Sequence, residues 1–364
     1  MNRVLARTGA RYPIVQAPMG WIARSALASA VSRAGGLGSI ETSSGETAHC
    51  QREITLMAAS GLPFGVNLSI RFLKDDAMLR FVCDALADLP VRFVTTSAGS
   101  PAKFIAPLKA AGIVVYHAVP TLETALKCVD AGIDGLVVEG AEGGGFKNPE
   151  EVSTLVLLQA IRERVDVPLI AAGGIVDGRG MAAAFALGAE GIQMGTRFVA
   201  SAESRVHEHF KQAIVAAEAT GTWVLNKQST PCIRALKTQR TQAIFKAGLM
   251  PVDTFAGIQQ VYFDGDMEAA PALAGQSAGL IHEVLTVQQI IDATVAEFHA
   301  ITARLGALGW GGRSGDGLYA LRELLVRAHV GQNVKRVSPE TAADPLALSW
   351  CRRKESNPRP SHYE

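Results

Sequence analysis

The sequence predicts an α/β fold, a (β/α)8 TIM barrel with a small, mainly helical insertion after the eighth strand, on three observations. Short apolar runs alternate with helical patterns from the start of the chain. Eight such runs recur roughly every 21–33 residues, the rhythm of strand, turn, helix, turn in such a barrel. The seventh and eighth runs each end in a glycine turn, Gly173-Gly174 and Gly195-Thr196, where barrels often hold a phosphate.

The predicted strands are 14–17, 37–40, 64–68, 93–97, 114–118, 135–139, 169–172 and 191–194. The helices between them are 25–34, 46–59, 75–87, 102–111, 122–131, 149–164 and 178–187. Each carries apolar residues at helical spacing, and several stop at a glycine, such as Gly112, Gly132 and Gly188. A doubly wound open sheet would need fewer strands and a GxGxxG turn after the first, which is absent. After Phe198 the rhythm stops. Residues 204–219, 241–247 and 254–261 read as helices, 222–238 is mixed, and 287–305 supplies the eighth barrel helix. The predicted organisation is therefore a barrel of 1–198 and 285–308, a lid-like insertion of 199–284, and an extension of 309–364, disordered after about 332 because its polar, proline-bearing composition cannot bury a core.

A net charge of +1 with 19% charged residues argues against a nucleic-acid or membrane-surface partner and leaves a small-molecule substrate. No apolar run reaches the roughly 18 residues that span a bilayer. The N-terminal stretch lacks an apolar signal core, and the five cysteines show no CxxC spacing, which fits a cytoplasmic protein with reduced thiols. The histidines form no metal pair, so no metal is expected. A homodimer is compatible with these properties.

In a barrel the functional residues stand at the C-terminal strand ends. Those ends carry Ala17-Pro18-Met19-Gly20, Asn67, Thr95 to Ser97, His117, and the run Glu139 to Phe146 with Gly144 inside it. They are rich in amides, hydroxyls and glycines and poor in charge. Glycines let backbone approach a ligand closely, and their N–H groups suit a phosphate. The set suits a planar, phosphate-bearing cofactor such as FMN; a phosphorylated metabolite is the rival, but its sites usually need a lysine or carboxylate at a strand end.

The segments QAPMGW, AGGLGSI, PFGVNL, TSAGSP, EGAEGGG, IAAGGIVDGRGMAAAFALGAEGIQMGTRF and GQSAGLI, spread in order over roughly residues 10–305, resemble the nitronate monooxygenase family, formerly 2-nitropropane dioxygenase. That family is related to FMN-dependent enoyl reductases and NADH:quinone reductases. The resemblance implies a TIM barrel flavoprotein that holds FMN without a metal. By position, Met19 and Gly20 would approach the flavin and Asn67 would hydrogen-bond it. Gly173, Gly174, Gly195 and Thr196 would hold its phosphate, and Gln276 and Ser277 would reach in from the C-terminal side. The implied activity is oxidation of alkyl nitronates with O2; the alternative is an NAD(P)H-dependent reductase of a quinone or an enoyl thioester.

One position departs from the family. After the sixth strand the family usually reads E-x-G-G-H, and its histidine takes the α-proton of a nitroalkane. Here that residue is Phe146, which cannot transfer a proton and is expected in the substrate pocket. His117 is the only histidine at a strand end and so the candidate substitute base. Lys147 is expected in a solvated loop, and Glu142 as a turn-capping carboxylate.

Overall fold

The computed structural model describes residues 2–73, 75–89 and 92–308. Residues Met1–Gly306 form one compact unit and Ala307–Glu364 separate as a second. The extension read as disordered lies outside the described residues beyond 308.

Eight parallel strands form the barrel: β1 (Ile14–Gln16), β2 (Gly38–Ile40), β3 (Phe64–Ser69), β4 (Phe93–Ser97), β5 (Val114–Val119), β6 (Gly135–Glu139), β8 (Leu169–Ala172) and β9 (Gly191–Met194). A further strand, β7 (Gly145–Lys147), lies in the connection after β6 and outside the barrel. The order is β1-β9-β8-β6-β5-β4-β3-β2, and a parallel bridge between Val15 and Leu37 closes the ring. The strand ends agree with the predicted ones to within a residue.

Side chains alternate across each strand. Val15, Leu37, Phe93, Tyr116, Val137, Ile170 and Ala172 meet inside the barrel. Their neighbours Ile14, Val94, Val115, Leu136, Val138 and Ile192 pack outward in the larger core shared with the helices. Buried on both faces, these strands read as continuous apolar runs, as parallel strands do. The helices are α1 (Arg3–Thr8), α2 (Ser25–Arg33), α3 (Thr47–Ala59), α4 (Ala77–Leu86), α5 (Ala102–Ala110), α6 (Leu122–Asp130), α7 (Thr154–Arg162), α8 (Gly178–Ala186) and the long α12 (Val287–Gly306). α1 closes the bottom of the barrel: Val4 joins the interior cluster and Arg3 Nε bonds Glu190 at 2.9 Å.

The insertion holds strands as well as the expected helices. It holds α10 (Glu208–Val215) and α11 (Gln239–Ala247) after the short α9 (Thr196–Val199), but also β10 (Thr222–Leu225) and β11 (Cys232–Leu236). β10, Thr-Trp-Val-Leu, is a short run rich in β-branched and aromatic residues, and it pairs antiparallel with β11. β11 then pairs with β7, Ile233 opposite Phe146, so the insertion and the β6 connection share one three-stranded sheet. The predicted helix at 254–261 is instead a series of turns ending in a π-type turn, Gln260–Asp264.

Candidate active site at the barrel mouth

The C-terminal strand ends converge with the Gly-Gln-Ser-Ala-Gly segment of residues 275–279. Gly275 N–H donates to the Thr196 hydroxyl at 2.9 Å, and Gln276 N–H to the Glu142 carbonyl at 2.9 Å. A methyl group on Gly144 would fall within 3.0 Å of Ala274 and Gly275 backbone. Gly144, Gly173, Gly174, Gly195, Thr196, Gln276 and the buried Ser277 are thus assembled around one end of the barrel by segments distant in sequence.

The glycine turns have the features of an anion cradle. Gly173 and Gly174 lie at φ +94° and +76°, a region that only glycine enters without strain. Among the described residues, the N–H groups of Gly173, Gly174 and Gly195 donate to no backbone or side-chain acceptor. All three glycines are half-buried, so these unused donors on two adjacent strand ends are open to a ligand, and their arrangement fits a phosphate. The Thr196 hydroxyl accepts from Gly275 and keeps its own proton to donate. Gly195 stands close to the β1 end: a Cβ there would lie 3.3 Å from Ala17 Cβ and 3.7 Å from Met19 Sδ. These residues fit the phosphate of FMN.

The loop carrying Ala17, Pro18, Met19 and Gly20 is held by a buried ion pair. Glu41, fully buried, accepts from Trp21 N–H at 3.1 Å and Ser44 N–H at 2.9 Å, and meets Arg24 Nη2 at 2.9 Å. Trp21 adopts φ +62°, which costs a side-chain residue about 1–2 kcal/mol. Removing one partner of a buried ion pair costs about 3–5 kcal/mol, so the network over-determines the strained turn.

The floor of the mouth is polar and neutral. Asn67 faces inward; its amide donates to the Thr95 hydroxyl at 3.0 Å and the Ser97 hydroxyl at 3.3 Å. Gln193 also faces inward, opposite Val15 and Ala172, and its side chain makes no hydrogen bond among the described residues. Sequence reasoning missed Gln193, although a lone amide in the apolar strand GIQM was a signal.

Two expectations are corrected. His117 is not placed to act as the substitute base. It alternates with Tyr116, which faces the barrel interior, and shares its outward face with Val115 and Val119. It is 2% exposed, its Nδ1 lies 2.7 Å from the Thr96 hydroxyl, and burial pushes its pKa down to about 4. Lys147 is not solvated. Its side chain is 3% exposed, its ammonium pairs with Glu139, and it approaches the Gly140 carbonyl. Glu142 caps α7, accepting from Thr154 N–H at 2.9 Å and the Thr154 hydroxyl at 3.0 Å.

His117 gives a stability prediction. Its folded pKa lies below the usual 6.5, so unfolding takes up a proton between about pH 6.5 and 4. Its contribution is complete above pH 6.5 and is lost as pH falls toward 4. Urea unfolding of the wild type and His117→Leu is expected to show the stability difference shifting against the wild type by up to ~1.4 kcal/mol per pH unit over that window. A pH-independent difference would place an accessible, ordinary imidazole at 117.

Phe146 occupies β7 and is 45% exposed. Its ring lies 5.9 Å from that of Phe72 and 5.7 Å from that of Phe255. No proton-transferring group stands at this position.

Comparisons with known proteins agree with this geometry. A family model described as nitronate monooxygenase matches residues 2–81 and 82–297. A relative from Rhodococcus jostii, named (3aS,4S,5R,7aS)-5-hydroxy-7a-methyl-1-oxo-octahydro-1H-indene-4-carboxyl-CoA dehydrogenase, is 31% identical over 82% of this chain and 96% of its own length. The nitronate monooxygenase of Pseudomonas aeruginosa is 30% identical over 81% of this chain and 99% of its own. Among solved structures, FabK from Thermotoga maritima superposes with a TM-score of 0.77 at 37% identity, covering 84% of this chain and 98% of that one. The family model spans the barrel and its insertion, and the chain belongs to the nitronate monooxygenase family of oxidoreductases.

Proposed function

We propose that this protein is an FMN-dependent oxidoreductase that acts on an acyl thioester, with NAD(P)H as the electron donor. The observation that carries the reading is the side chain at 146. The mouth offers a phosphate cradle and a neutral amide floor, yet a phenyl ring stands where proton abstraction from a nitroalkane would need a base. The Rhodococcus jostii relative is named for a CoA ester, which supports a thioester over a quinone.

FMN, when bound, supplies a ring that accepts or donates hydride. The chain's own residues bind and orient. Gly173, Gly174 and Gly195 N–H groups and the Thr196 hydroxyl hold the phosphate. Met19 and Gly20 form one wall, kept in place through the Arg24–Glu41 pair. Asn67, locked by Thr95 and Ser97, and the unbonded Gln193 amide supply hydrogen bonds to a planar polar ring. Glu139 and Lys147 neutralise each other beside the mouth, so neither adds net charge. The described cysteines Cys50, Cys83, Cys128 and Cys232 are free thiols, which supports a reducing, cytoplasmic setting. Among the described residues, no helix is long and apolar enough to cross a membrane.

The test compares two turnovers of the flavin-loaded protein. Under nitrogen, oxidation of NADH or NADPH is expected to depend on added 2-enoyl-CoA. In air, oxygen uptake with ethyl nitronate is expected to be slower than that turnover. Faster oxygen uptake with the nitronate, and no thioester-dependent oxidation of NAD(P)H, would replace this reading with nitronate oxidation, which an already deprotonated substrate permits despite Phe146.

A further inference from the structure

The aromatic rings at the mouth carry a second inference. Phe72 follows β3 and Phe146 follows β6, and β4 and β5 stand between those strands. At about 4.8 Å per strand, the bases of β3 and β6 are about 14 Å apart along the sheet. The two ring centroids are nevertheless 5.9 Å apart. The connections after β3 and β6 therefore bring the two side chains together. Phe255, from the insertion, extends the row at 5.7 Å and is itself packed against the cluster of Leu225, Ile233 and Ile244. The three rings form one aromatic roof, drawn from the connections after β3 and β6 and from the insertion.

Three cations of β7 and the β10–β11 hairpin are already paired. Lys147 is turned onto Glu139 and the Gly140 carbonyl. Arg234 is bonded to the Ala141 carbonyl at 2.8 Å and the Thr222 hydroxyl at 3.1 Å, and Lys227 pairs with Glu151. The roof thus presents ring faces and no unpaired cation from these neighbours. Phe146, at 45% exposure, leaves apolar area for a ligand to cover.

We propose that Phe72, Phe146 and Phe255 bind the acyl group of the substrate and select thioesters whose acyl portion is bulky and apolar. This rests on the thioester reading of the same site, and the experiment separates the two. Apolar contacts of this kind discriminate by excluding water from ring and chain, and one lost contact is worth about tenfold in affinity.

The flavin-loaded full chain is titrated calorimetrically with acetyl-CoA and decanoyl-CoA, and in parallel with acetate and decanoate. Decanoyl-CoA is expected to bind at least about tenfold more tightly than acetyl-CoA. Phe146→Ser is expected to remove most of that preference with little change for acetyl-CoA, and Phe146→Leu to keep it. Phe255→Ala carries the same comparison if Phe146→Ser loses its fold by thermal melt. If neither CoA ester binds but decanoate is preferred over acetate with the same dependence on Phe146, the roof stands and the thioester reading fails. If long and short ligands bind equally, if none binds, or if the preference survives both Phe146→Ser and Phe255→Ala, the roof is not a binding surface. In the first of those cases, binding of both CoA esters leaves the thioester reading intact.

Discussion

Phe146→His is expected to raise the rate with neutral nitroethane by roughly 10²–10⁴-fold, the usual contribution of a positioned general base. Turnover of the anionic ethyl nitronate, which needs no base, should change little. The ratio of the two rates is therefore the readout, because it cancels effects on flavin binding or folding. Position 146 suits the substitution. It is half-exposed on β7, in contact with rings rather than with a tight core, so an imidazole there is hydrated enough to titrate near its ordinary value. His117 shows the opposite case: the same side chain, turned outward and desolvated, is held neutral down to about pH 4. An unchanged ratio would mean that residue 146 does not reach the reacting carbon.

Gly195→Val should weaken FMN binding by about a hundredfold or more, a loss of ~2.7 kcal/mol, while the apoprotein melts within a few degrees of the wild type. Gly195 is the better probe than Gly174. Its φ of −109° suits any residue, whereas Gly174 at +76° would strain any side chain and mix folding with binding. The valine Cβ would sit 3.3 Å from Ala17 Cβ, a contact that small shifts relieve. Its two methyl groups would extend among the unused N–H donors, where the phosphate must come. Fluorescence titration of FMN against both proteins measures the loss, and equal affinity would refute the phosphate assignment.

The barrel was legible because each of its strands is a compact apolar run, and several of them follow a helix-ending glycine such as Gly112, Gly132 or Gly188. The glycine turns of the phosphate cradle were legible for the same reason: they fall at strand ends whose number could be counted. The face of His117 was not. In Val114–Val119 both faces are apolar, one toward the barrel interior and one toward the helices, so alternation carries no inside-outside signal. The strand Gly145–Lys147 was hidden too. Three residues beginning with glycine have no period, and their partner, Cys232–Leu236, lies far along the chain. Missing that pairing also misplaced Lys147, which its strand turns onto Glu139 and away from solvent. Phe146 itself stood out from the resemblance alone, but its place in a three-ring roof depends on Phe72 and Phe255, which no local pattern connects.

On this proposal the flavin of this protein exchanges hydride with an acyl thioester. An anaerobic spectrum reads that exchange. Enzyme bleached with NADH is mixed with a medium-chain 2-enoyl-CoA, and oxidised enzyme is mixed separately with ethyl nitronate. The visible flavin band is expected to return in the first cuvette and to persist in the second. A band that stays bleached with the thioester and is lost on adding the nitronate would contradict it.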